Sequence, residues 1–164
     1  MTLPRLACFF LETEQTPLVY CIDQAQHWTG QLKFSNQNKK NLIQLVRYQN
    51  HPIPQDRVSL RLLIHELPDR FGEWIQLQQA LNRLTSEQAA RLIAASEEIR
   101  GHDCLTLKQL AINGADLIAA GCPRPQISAL LKQSLNAVME DQIPNQKAAL
   151  LRFITQQRKP EHQE

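Results

Sequence analysis

Glycine is scarce in this chain, with 5 among 164 residues and no glycine-rich run. That excludes the looped motifs whose backbone amides cradle a phosphate, both the P-loop and the dinucleotide fingerprint. Neither G-x-S-x-G nor H-E-x-x-H occurs, so the nucleophile elbow and the helical zinc-protease site are also missing. There is no D-x-D pair, whereas nucleotidyl transfer needs two or three carboxylates converging on magnesium. Asp56, Asp69, Asp103 and Asp116 fall in separate loops or caps. Glu97 and Glu98 are neighbours and point to different sides of a helix, and Glu140 and Asp141 sit at a helix end. The four cysteines, Cys8, Cys21, Cys104 and Cys122, form no C-x-x-C pair and have no histidine at zinc-finger spacing. Free thiols in a reducing cytoplasm are expected. The opening TLPRLACFFLE is too short in its apolar run to be a signal peptide, and no run approaches transmembrane length, so no membrane partner is expected.

Apolar residues recur mostly at helical spacing, and alternation of the strand type is poor. The pattern predicts short helices from about Pro4 to Leu11 and from about Leu18 to Thr29. A third, capped by Ser35, buries Leu42, Ile43, Leu45 and Val46. HPIPQD is a break, because its two prolines disfavour helix. RVSLRLLIHEL and PDRFGEWIQLQQALNRL are the next helices, and Thr85 to Gln88 form a capping-box pattern for another. Trp28 and Trp74 have apolar neighbours at helical spacing and are expected as core anchors. The histidines His27, His51, His65, His102 and His162 read as ordinary surface or packed residues.

From Cys104 to Ile154 helix starts and stops crowd together. Thr106 and Asn113 occupy cap positions, Gly121 follows LIAA as a stop, and Pro123 and Pro125 re-open the chain. A last helix is expected from Asn145. The fold class is all-α, a multi-helix array of short helices with no sheet. A soft boundary near Gly101–Asp103 separates a helical body, 1–100, from a helical tail, 101–164.

The net charge is +2 and the isoelectric point about 8.4, too mild by itself to imply nucleic acid. Between Gly121 and Lys159, however, Arg124, Lys132, Lys147, Arg152, Arg158 and Lys159 face only Glu140 and Asp141. Six cations against two acids leave +4, while the rest of the chain reads as near neutral or slightly acidic.

LTLKQLAINGADLIAAGCPRPQISALLKQSLNAVMEDQIPNQKAALLRFI resembles the C-terminal region of bacterial CCA-adding enzymes, the tRNA nucleotidyltransferases related to poly(A) polymerases. The likeness rests on Leu110, Ile112, Asn113, Gly114, Asp116 and Leu117. It continues through the turn Gly121, Pro123, Arg124, Pro125 and the closing Asn145, Lys147, Leu150. Weaker likenesses precede it: LKFSN resembles the start of the middle helical region, VSLRLLIHELPDRFGEWIQLQQA the helical pair after it. RLACFFLE resembles the start of the HD-type helical domain of some members.

Two departures stand out. The HD-type metal ligands are replaced: Leu11 and Glu12 stand for His-Asp, Ile22 for a later His, and Arg47-Tyr48-Gln49-Asn50 for the closing segment. No metal site and no HD-type phosphohydrolase activity are expected. The turn after Gly121 has Arg124 between its prolines, and Ser128 where a glycine is usual.

The resemblance implies a tRNA-binding fragment that positions tRNA for 3′-end addition by an N-terminal catalytic head outside this chain. Magnesium and CTP or ATP would belong to that head, and the fragment is expected to carry no catalytic residue, no cofactor and no activity of its own. It implies reading by shape and phosphate, as suits A-form RNA, through Lys108, Arg124, Lys132, Lys147 and Arg152 and through helix N-termini. The alternative is a helical protein-interaction module derived from the same family.

Overall fold

The computed structural model describes residues 2–157. Arg158, Lys159 and His162, singled out above, lie outside them. Helices are α1 (Leu3–Ala7), α2 (Leu18–Gln31), α3 (Asn36–Arg47), α4 (Arg57–Glu66), α5 (Phe71–Ala80) and α6 (Ser86–His102). They continue as α7 (Gly114–Ala119), α8 (Ile127–Met139) and α9 (Lys147–Gln157), with 3-10 turns at Leu107–Gln109 and Arg124–Gln126. Among the described residues there is no strand, and Thr13 and Thr16 form an isolated bridge. The all-α expectation is met.

The chain divides into two compact units. The first comprises the chain up to Pro54 together with Leu67–Ala95; the second takes Gln55–Glu66 and everything from Ser96.

In the first unit α1 packs on α3 and α5, and α2 lies along α3. Ser35 caps α3 as expected, its hydroxyl accepting from the Asn38 amide at 3.2 Å. Leu42, Leu45 and Val46 are buried, whereas Ile43 is only partly so. Trp74 is fully buried, stacks on Phe71 at 5.9 Å and donates its indole N–H to the Tyr48 carbonyl at 2.9 Å. That bond satisfies the one polar atom of a core anchor.

Trp28 does not share this role: it is 53% exposed. The buried stripe of α2 is Cys21, Ala25 and Thr29, spaced four apart and made of small side chains. Trp28 stands one residue off that stripe, so close packing of α2 leaves it outside. The first helix also stops early, at Ala7, with turns closed by Phe9 N–H to Leu6 O and Phe10 N–H to Ala7 O.

The second unit has a continuous core of Leu110, Ile112, Leu117, Leu130, Leu135 and Met139 with Leu150 and Ile154 of α9. Arg61 of α4 is its polar keystone, its side chain only 8% exposed. Its guanidinium donates to Asp103 at 2.7 Å, to Asp141 at 2.8 Å and to the Met139 carbonyl at 2.6 Å. It thereby ties α4 to the segment after α6 and to the C-terminus of α8, where carbonyls lack intrahelical partners. Arg57 grips the other side of Asp103 through two bonds of 3.2 and 2.7 Å.

Four helices end alike. Lys33, Asn82, Gly121 and Asp141 have φ of 53°, 55°, 73° and 56°, and the next amide reaches back five residues: Phe34 to Thr29, Arg83 to Gln78, Cys122 to Leu117, Gln142 to Ala137. This is the Schellman closure, with a glycine at only one of the four positions.

Candidate nucleic-acid interface

The segment 104–154 is built from capped turns. Asn113 caps α7, its side-chain oxygen accepting from the Ala115 and Asp116 amides at 2.8 and 3.2 Å. Asp116 returns a bond from the Asn113 amide at 2.9 Å, completing a capping box. The N-terminus of α7 is thus closed by its own side chains, and a carboxylate already occupies the place a phosphate would take.

Thr106 makes no cap bond; its hydroxyl turns to the Gln109 side chain at 2.9 Å, and the residues after it form a 3-10 turn. Asn145 does not open the last helix, which begins at Lys147. Its amide bridges instead, accepting from the Ala111 amide and donating to the Gln109 carbonyl, both at 2.8 Å. Pro123 precedes and Pro125 lies within a 3-10 turn that leads directly into α8.

The five cations expected to meet phosphate are all exposed and are spread over four elements. Lys108 lies in the first 3-10 turn, Arg124 in the second, Lys132 on the solvent face of α8, and Lys147 and Arg152 on α9. Lys147 is engaged: its ammonium meets the Asp116 carboxylate at 2.5 Å. That contact, with the Asn113 amide bond, holds Asp116 below the usual carboxylate range. Among the described residues no carboxylate lies in ion-pair range of Lys108, Arg124, Lys132 or Arg152. The sequence shows cation number but not pairing, so Lys147 could not be told apart from the other four.

Of the positions that replace HD-type ligands, Glu12, Gln49 and Asn50 meet in the first unit. Gln49 is fully buried; its side-chain carbonyl accepts from the Glu12 amide and its NH2 donates to the Phe10 carbonyl, each at 3.1 Å. Asn50 donates to the Glu12 carboxylate at 2.8 Å. The Gln49 backbone carbonyl receives Gln78 at 2.9 Å and Arg83 at 2.7 Å. Neutral amides here join strands of chain directly. Among the described residues no group of three or more His, Cys, Asp or Glu is placed to hold a metal ion.

No described helix is long and apolar enough to cross a membrane. Residues 12–154 match the family model of tRNA nucleotidyltransferase domain 2. No curated protein and no solved structure matches the chain. The match takes in both helical units, the amide clasp at Gln49 and the capped segment through Ile154, and the chain belongs to the tRNA nucleotidyltransferase domain 2 family.

Proposed function

We propose that this chain holds tRNA through phosphate contacts of its second unit, placing the 3′ end for nucleotide addition by a catalytic head outside the chain, as in a CCA-adding enzyme. The match to tRNA nucleotidyltransferase domain 2 carries this reading. The cations Lys108, Arg124, Lys132 and Arg152 support it, being exposed and without ion-pair partners among the described residues. Phosphate contacts position a nucleic acid without reading its bases, which suits a domain that must accept every tRNA. Lys147 contributes less, since Asp116 competes for its ammonium.

In a filter-binding competition at low salt, folded tRNA should displace labelled tRNA well before mixed-sequence duplex DNA does. Equal competition by the two would contradict the reading. The alternative, a protein-interaction module, is favoured by one observation: Phe9, Val19, Tyr20, Trp28 and Leu32 are exposed on the first unit.

A further inference from the structure

Three of those side chains, Phe9, Trp28 and Leu32, line an open groove of about 460 Å³ in the first unit. Its lining comes from Leu6, Phe9 and Phe10 around the end of α1, Trp28 and Leu32 at the end of α2, and Leu42 of α3. The volume is within the ~300–1,000 Å³ typical of sites for small ligands or single chemical groups. Thr29 also lines it, but its hydroxyl is spent on the Ala25 and Gln26 carbonyls at 2.8 and 3.0 Å. The interior is therefore apolar. Two aromatic rings stand in it with faces uncovered, Phe9 at 73% and Trp28 at 53% exposure.

What the groove takes is indicated by the charge beside it. From Gln24 to Gln55 there is no acidic residue, while Lys33, Lys39, Lys40 and Arg47 are all present. Lys33 directly follows the lining Leu32, and Lys39 lies three residues before the lining Leu42, one turn away on the same flank of α3. None of the four cations has an ion-pair partner among the described residues. An apolar slot for a protein helix would need no such unneutralised cations. Exposed aromatic rings flanked by lysines are what unpaired nucleotides use, the bases stacking on rings and the backbone lying along positive charge.

We propose that this groove binds an unpaired stretch of RNA, with a base against Trp28 and Phe9 and the neighbouring phosphates on Lys33 and Lys39. The site uses none of the second unit's cations and is a separate contact from the tRNA-holding surface above.

The chain has two tryptophans, and Trp74 is fully buried, so quenching by a stacked base reports Trp28 alone. The probe is a single-stranded RNA dodecamer, fluorescein-labelled for anisotropy and unlabelled for tryptophan quenching. Binding should quench the tryptophan emission. Trp28→Ala should weaken binding roughly tenfold, within the range measured for single stacked bases. Trp28→Phe should keep the affinity and abolish the quench. The double variant K33Q/K39Q should lower the salt slope by about 1.4, the expectation for two contacts to a single strand.

Saturating RNA that leaves the emission unchanged would overturn the proposal. So would sedimentation showing a dimer that Trp28→Ala dissociates, because the groove would then belong to a second copy. The outcome is separable from the proposed function. Loss of tRNA preference with Trp28 quenching intact removes the tRNA reading and leaves this site. The reverse result removes this site alone.

Discussion

Arg61→Ala tests the reading of the second unit most severely. The guanidinium is nearly buried and holds three partners that cannot rearrange together: Asp103, Asp141 and the Met139 carbonyl. Removing it leaves Asp103 with Arg57 alone and strips the end of α8 of its donor. Breaking a buried pair by truncating one partner costs about 3–5 kcal/mol, because the remaining charge is left uncompensated. Here Arg57 still compensates Asp103, and Asp141 is mostly exposed, so the loss is reduced. Stranding the Met139 carbonyl adds about 1–3 kcal/mol. The expected cost is therefore about 2–4 kcal/mol. With a urea slope of about 2 kcal/mol per molar, the midpoint by far-UV circular dichroism should fall by about 1–2 M. Arg61→Lys should fall between, since a single ammonium cannot fork to three acceptors. A midpoint for Arg61→Ala within about 0.2 M of the unmodified chain would refute the keystone role.

Acid should find the same cluster. Burial pushes the Asp103 carboxyl up, but the hydrogen bonds from Arg57 and Arg61 outweigh it and hold the pKa below the ordinary value. A depressed folded pKa gives stability that is present above the unfolded value, about 3.9, and is lost as pH falls through the folded one. Urea midpoints should therefore drop below about pH 4, and Asp103→Asn should be less stable at neutral pH with a flatter acid limb; an unchanged limb would contradict the assignment. Asn113→Ala should cost about 1 kcal/mol by removing the α7 cap, read as a lower urea midpoint, with Asn113→Ser largely restoring it.

Helix existence was legible wherever a local signal suffices. Ser35, the Thr85–Gln88 box with its reciprocal bonds of 2.9 and 3.2 Å, and Asn113 are local chemistry within three residues, and each cap formed as expected. Helix stops were legible only at Gly121. Lys33, Asn82 and Asp141 adopt the same left-handed turn, but their residue types do not announce it; packing beyond the turn selects it.

Arg61 was invisible because its partners lie 42 to 80 residues away. Trp28 was misread for a geometric reason. Hydrophobic spacing marks a helix, but a shift of one residue, about 100° around the axis, decides which side of the buried stripe a ring occupies. At the interface, counting cations found the charged segment after Gly121 and passed over the acid-free run from Gln24 to Gln55, which a charge window would have shown. Pairing, as in Lys147 with Asp116, is a property of the fold and could not be counted.

The central claim, tRNA held by phosphate contacts of the second unit, is tested most directly by the salt dependence of tRNA affinity. Plots of log affinity against log salt should be compared for the unmodified chain and the double variant R124A/K132A. The account predicts weaker binding by the variant to all tRNAs alike and a slope smaller by about two, one per lost contact. An identical slope with unchanged affinity would contradict it.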